Sequence, residues 1–421
     1  MSTASRPPGG PTDGLLAGLR QSLERPLASY HVVRGVTGLL LALGLLMVLS
    51  ASSVESFYDY GGNSYAVFLR QVMWVAIGLP AAWVASRLPL PLIGGLSTLG
   101  LLVSVGLLAA TYVPGLGTEV NGNQNWLSFG GPFRIQPSEL AKLTLVLWVA
   151  HVYARKGSRL DEWRHLLLPM VPVSLLVAGL VVGQRDLGTA LVLFAIILGL
   201  LWVVGAPFRL FGGAVVLAGG TALFLASLSP ARMARLTSFT DPFADYDQAG
   251  WQAAHGFFAL ANGGWWGVGL GASVQKWEGK LPEAHNDFIF AIIGEELGLF
   301  GTLLVLLLFG LLVFAGFGIA ARTRDPFARY AAAGITIWLA AQAVINIGMV
   351  LGLLPVIGIP LPLVSYGGSA LVPTLVALGV LVNLAKTEPG AAAAWRPHRR
   401  HGTAARWGFV RRPVRREQGP R

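Results

Sequence analysis

Ionisable side chains crowd one short stretch, Leu281–Gly298 (LPEAHNDFIFAIIGEELG), in which a polar turn leads into an apolar helix. Glu283, His285, Asp287, Glu295 and Glu296 all fall in it. Charges in or against a membrane segment are costly, so they default to a functional reading. Asp287 follows Pro282 and Asn286 where the loop becomes a helix. An acid there is either a first-turn cap or a general base, and spacing alone does not separate the two. On an uninterrupted helix Glu295 would lie about 80° round from Asp287 and Glu296 opposite it, both about 12–14 Å deeper. They are therefore expected to pair or pack, away from Asp287.

Three further constellations carry charge or strain. Glu139 and Lys142 stand three apart in Gln136–Lys142 (QPSELAK), about 60° apart on one helix face. They read as an internally neutralised pair, or as a cation oriented by Glu139 toward an anionic ligand. Asp186, in Gln184–Thr189 (QRDLGT), opens another helix as a cap or a partner for Lys142. Asn346–Ser369 holds Pro355, Pro360, Pro362 and the Gly367–Gly368 pair, which forbid one continuous helix. Broken helices at membrane depth line cavities, and this break would expose backbone donors beside Ser365, Tyr366 and Ser369. Asp241, Asp245 and Asp247 read as a solvated loop, and no metal site is expected.

The elements that must position these groups follow from composition. Of 421 residues 54% are hydrophobic and 12% charged, with mean hydropathy +0.62, whereas soluble domains carry about a quarter charged residues. The chain reads as an all-α polytopic membrane protein of about ten transmembrane helices. A span needs about 20 apolar residues. By that rule spans run over 33–53, 67–86, 90–112, 136–154, 166–184, 187–206, 209–228, 287–320, 328–352 and 370–386. The first is long enough to be retained, with no cleavage pattern before it. The absence of cysteine excludes disulfides, thiolate nucleophiles and cysteine-ligated metals.

Arg87, Arg155, Lys156, Arg159, Arg164, Arg209, Arg322, Arg324, Arg329 and Lys386 fall on alternate loops. The positive-inside rule makes that side cytoplasmic, with both termini inside. The long loop before the eighth helix, 229–286, is then extracytoplasmic, as are Arg134, Arg232, Arg235, Lys276 and Lys280. Its part Asn262–Ala272 (NGGWWGVGLGA) is suited to an interfacial or re-entrant position. Residues 1–32 form a basic tail expected to be disordered. Residues 387–421 hold nine Arg against two Glu, +7 of the chain's net +11. This second tail is also expected to be disordered and cytoplasmic, with anionic lipids as its sharper role. Nucleic acid is not an expected partner, because no folded module accompanies the arginines.

From residue 35 to 386 the sequence resembles the SEDS family (shape, elongation, division and sporulation), the FtsW/RodA/SpoVE group of bacterial cell-wall glycan polymerases. The resemblance rests on Gln136–Lys142, Gly267–Gly298 and Asn346–Ser369. Gly269–Gly298 resembles the division branch, whereas Gly352–Pro362 fits the elongation branch equally. The resemblance implies polymerisation of lipid II into glycan strands on the outer face of the cytoplasmic membrane, at the division septum. Asp287 would be the general base for a sugar 4-hydroxyl that displaces polyprenyl diphosphate. Lys142, Lys276 and Lys280 would neutralise the leaving group, followed by Arg70 and Arg134. Glu139, Glu283, His285, Ser365, Tyr366 and Ser369 complete the candidate substrate contacts. Asp186, Glu295, Glu296 and Asn346 are candidate structural or pairing groups.

Implied partners are lipid II, the growing strand, a class B penicillin-binding transpeptidase and other division-site proteins. Magnesium or manganese is the one candidate cofactor. A lipid II flippase, an elongation-type polymerase and a recruiting scaffold are the alternatives. Three positions depart from the family pattern. Gln124 and Asn125 stand where basic residues are common, Arg185 where proline is usual, and Asn286 where threonine is common.

Overall fold

The computed structural model describes residues 27–391 and 394, apart from 121, 129–133, 229–232, 235, 236, 238, 240, 249 and 278. Its helices are α1 (Ala28–Asp59), α2 (Ala66–Ala85), α3 (Leu90–Ala110), α4 (Pro137–Lys156), α5 (Trp163–Leu167) and α6 (Met170–Gly183). There follow α7 (Leu187–Val204), α8 (Phe208–Ser227), α9 (Trp251–Gly263), α10 (Ile289–Arg322), α11 (Pro326–Val350) and α12 (Gly368–Ala385). With α5 and α6 taken as one stretch, helices coincide with all ten apolar runs. Eight are long and apolar enough to cross a membrane. The other two are α4, which carries Glu139, Lys142, Arg155 and Lys156, and α8, apolar over Phe208–Phe224. The chain is a multi-pass helical membrane protein.

Burial follows the solvent. Leu102, Val216 and Phe314 stand 55–75% exposed on helix faces, which lipid tolerates and water would not. The core is built around α11, which packs on α10, α4 and α7, and around α12 against α2. Small residues allow the close approach: Ala331, Ala332, Ala333 and Gly334 of α11 are all buried.

Several expectations need correction. Helix α1 begins at Ala28 and ends at Asp59, longer at both ends than 33–53. The connection after α3 is not all irregular: β1 (Gly117–Val120), β2 (Asn123–Ser128) and β3 (Arg134–Ile135) pair antiparallel in that order. The long loop contains α9, which packs on α10. At the tail, Glu388 is buried and pairs with Arg322 at 3.2 Å. The first residues after 386 therefore dock on the bundle. Residues 1–26, 395–421, Arg232 and Arg235 lie outside the described residues.

Two segments leave helical geometry inside the bundle. Helix α10 breaks at Gly298, whose φ 67° and ψ −163° are a glycine conformation. The break frees backbone groups, and the chain after α9 supplies their partners. Val268 N–H donates to Glu295 O (2.9 Å) and Gly269 N–H to Glu296 O (3.1 Å), while Leu299 N–H donates to Gly264 O (2.9 Å). The second segment is 353–367, where Pro355, Pro360 and Pro362 withhold donors and Leu363 sits at φ 66°. It reaches α1 at Gly44, where an added Cβ would lie 2.4 Å from Leu363 O. At 1.5 Å per residue that contact is about 22 Å below the end of α1. Side chains satisfy this backbone: Gln342 Nε2 donates to Pro360 O (3.1 Å), Asn346 Nδ2 to Ile359 O (2.6 Å) and Gln71 Nε2 to Ser365 O (3.2 Å).

Gly298→Ala would place Cβ 2.4 Å from Gly267 N and 2.6 Å from Trp265 O. The φ/ψ penalty alone is about 1–3 kcal/mol. Thermal unfolding in detergent should show a clear drop for Gly298→Ala and none for Gly106→Ala, where a Cβ meets open space.

Candidate active site

Helix α10 begins at Ile289, so Asp287 stands before it in a turn. Angles measured from Asp287 along a helix therefore do not apply. The turn is pinned to the 353–367 segment by successive carbonyls. His285 O accepts from Tyr366 N–H (2.9 Å), Asn286 O from Ser365 Oγ (2.6 Å) and Asp287 O from Asn346 Nδ2 (2.8 Å). The half-buried Asp287 carboxylate lies against Gly358, where an added Cβ would be 3.3 Å from its Oδ2. Glu283 takes φ 55°, a costly left-handed conformation for a non-glycine residue, and its carboxylate accepts from Asn286 Nδ2.

Around this turn gather groups from three other elements. Glu55 of α1 places Oε2 3.1 Å from His285 Nδ1, and the His285 ring lies 5.4 Å from that of Tyr366. Arg70 of α2 donates to Tyr60 Oη (2.8 Å) and lies over its ring at 4.7 Å. Burial pushes the Tyr366 phenol above its ordinary pKa, while the neighbouring Arg70 guanidinium pulls the other way. Tyr366 is therefore a neutral hydroxyl near neutral pH. The site thus combines one half-buried carboxylate, one guanidinium, an imidazole–carboxylate pair and phenolic hydroxyls.

Other expected ligand contacts prove internal. Lys142 is 1% exposed and held by Glu139 (2.7 Å) and Gln342 (3.0 Å), with the Trp338 ring at 5.4 Å. Lys276 is 6% exposed and paired with Glu296 at 3.0 Å, while also donating to Ser50 Oγ and Gly271 O. Neither ammonium faces solvent, because low dielectric makes an unpaired charge far costlier than a paired one. Ser365 spends its hydroxyl on Asn286 O and on Leu361 N–H. Lys280 remains half-buried, Ser369 lies in the first turn of α12, and Arg134 is exposed on β3.

The carboxylates among the pairing groups are held by donors. Glu295 accepts from the Ser273 hydroxyl, Val274 N–H (3.2 Å), Gln275 N–H (3.3 Å) and Asn262 Nδ2 (3.3 Å). Glu296 accepts from Ser50 Oγ (2.6 Å) and Lys276. Asp186 caps α7 through Thr189 N–H (2.9 Å) and accepts from Asn125 Nδ2 (2.8 Å) and Gln136 Nε2 (2.9 Å). Its partner is not Lys142. A neutral amide thus serves where a basic residue was expected, and Arg185 is exposed at φ 64°. Among the described residues no three His, Cys, Asp or Glu side chains gather closely enough to hold a metal ion.

Glu55, Ser50, Gln71 and Gln342 went unread in the sequence. Glu55 carries a signal, an acid near the end of an apolar span. The other three are uncharged, and only the fold reveals their partners.

Removing one partner of the Lys276–Glu296 pair leaves a buried charge, which costs about 3–5 kcal/mol. Lys276→Met should therefore lower the unfolding midpoint sharply, and Lys276→Met with Glu296→Gln should recover much of it. A double variant no better than Lys276→Met would contradict the pairing.

Residues 30–389 match the cell cycle protein family FtsW/RodA/SpoVE. The probable peptidoglycan glycosyltransferase FtsW of Mycobacterium tuberculosis is 44% identical, over 90% of this chain and 71% of that protein. The FtsW of Coxiella burnetii is 41% identical, over 82% and 93%. Among solved structures, the rod shape determining protein RodA of Thermus thermophilus superposes with TM-score 0.62 at 28% identity, covering 85% of this chain and 97% of that one. A chain from a peptidoglycan synthase complex that coordinates polymerization and crosslinking gives 0.68 at 31%, covering 84% and 97%.

Proposed function

The chain belongs to the FtsW/RodA/SpoVE family, and on that premise we propose that it is a peptidoglycan glycosyltransferase that polymerises lipid II for septal wall synthesis. The observation that carries the reading is the Asp287 turn. It offers a half-buried carboxylate on a turn whose three carbonyls are each held by a donor, with a cation and phenols nearby and the remaining buried charges paired or hydrogen-bonded internally. Relatives 38–44% identical over most of the chain are named probable peptidoglycan glycosyltransferases.

In the proposed reaction the acceptor sugar's 4-hydroxyl attacks the anomeric carbon of the donor. The bond from that carbon to the polyprenyl diphosphate breaks, and the leaving group takes its electron pair. Asp287 accepts the hydroxyl proton as the new bond forms. Arg70, beside Tyr366, and the half-buried Lys280 are the candidate cations for balancing charge on the departing diphosphate, since Lys142 and Lys276 are neutralised by their partners. Tyr366 and Tyr60 offer hydroxyls to the sugar. The face bearing Asp287 is extracytoplasmic in this reading, because the Arg-rich connections gather at the other end. A class B transpeptidase is the proposed partner.

Purified protein with its cognate transpeptidase should convert labelled lipid II into glycan chains, with and without EDTA to read any need for magnesium or manganese. Asp287→Asn should lower the rate by at least about 10²–10⁴, the range general-base loss spans, while retaining the transpeptidase. Undiminished polymer from Asp287→Asn would sink the assignment. Lipid scrambling in vesicles with no polymer from the intact protein would favour a flippase instead.

A further inference from the structure

We infer that Glu55 is a positioning residue for polymerisation, acting through His285 to fix the turn that carries Asp287. The inference rests on Asp287 being the base. Glu55 is an acid in the last turns of an apolar helix, and its side chain is 47% exposed while that of His285 is 7% exposed. Nδ1 of His285 is buried and makes no hydrogen bond among the described residues, and the Glu55 carboxylate stands 3.1 Å from it as an ion-pair partner. Glu55 thus reaches inward from α1 to a buried imidazole nitrogen and brings its carboxylate within ion-pair distance of it.

The Asp287 turn needs such a hold. Glu283 sits in a left-handed conformation, which persists only where its surroundings over-determine it. The carbonyls of His285, Asn286 and Asp287 are tied to Tyr366, Ser365 and Asn346, from 353–367 and α11. Glu55 holds the same turn from α1. Tyr366 of the 353–367 segment, Arg70 of α2, Tyr60 after α1, and Glu283 and Asp287 of the turn itself are the titratable or charged groups around it. Without the carboxylate, a buried imidazole nitrogen would lose the charged group that now stands beside it. Its relief is rotation toward water, which displaces the backbone two residues from the Asp287 carboxyl. Misplacement by about 1 Å can cost 10²-fold in rate.

The test is steady-state polymerisation of labelled lipid II by the intact protein with its transpeptidase. Glu55→Ala should lower kcat about tenfold or more, with KM within about twofold and an unchanged unfolding midpoint. Glu55→Gln, which keeps an acceptor oxygen at the same reach, should recover most of the loss. Glu55→Ala with His285→Ala should be no slower than the slower single variant, because both changes break one contact. Should Glu55→Ala aggregate, Glu55→Leu keeps the side chain's bulk without its acceptor, and the same values apply. Wild-type kcat in Glu55→Ala, equal loss in Glu55→Gln, or multiplying losses in the double variant would each overturn the inference. Asp287→Asn runs alongside. Polymer from Asp287→Asn defeats the base assignment, whereas an inactive Asp287→Asn beside a wild-type Glu55→Ala defeats only the role of Glu55.

Discussion

Backbone that leaves a helix inside a membrane must find its hydrogen bonds within the protein, since lipid offers none. The 353–367 segment meets that demand with amides from its neighbours: Gln342, Asn346 and Gln71 each bond its backbone. The same segment then presents Ser365 and the Tyr366 N–H to the chain before α10. Asn346 serves both sides, holding Ile359 O and Asp287 O together. The position of the Asp287 carboxyl is thus a consequence of how the 353–367 segment solves its own hydrogen-bonding problem.

A second constraint sorts the charges. In a low dielectric an ammonium is tolerated when a carboxylate meets it. Lys142 with Glu139 and Lys276 with Glu296 obey that rule and leave the solvent-facing chemistry to others. Glu295 needs no cation, because two backbone N–H groups, a hydroxyl and an amide converge on it. The break at Gly298 brings those donors within reach by letting the chain after α9 pair with α10. Asp287, Glu283, Glu55, Arg70 and Lys280 are among the charges nearer the surface of that end.

The helices were legible because apolar runs of spanning length separate cleanly from polar connections. Asp287 was legible too, as a charge that a spanning helix has no use for. Its surroundings were not. Spacing suggests an ion pair only when both partners are close in sequence. Glu139 and Lys142, three apart, met that condition yet stayed open between a paired and a presented cation, and Lys276, twenty residues from Glu296, did not meet it. The helix angles from Asp287 to Glu295 failed because they assumed a helix that begins only at Ile289. Asn125 carried no charge to draw notice, yet it bonds the Asp186 carboxylate.

The proposed reaction requires that the Asp287 carboxylate, on its clamped turn, meet the acceptor hydroxyl. The most direct measurement is the distance between them in a structure of the protein holding a lipid II acceptor and an unreactive analogue of the polyprenyl-diphosphate-linked glycan donor. The account predicts a hydrogen-bond separation of about 2.6–3.2 Å, or one intervening water. A 4-hydroxyl lying beyond the reach of a single water, with another carboxylate beside it, would contradict the account.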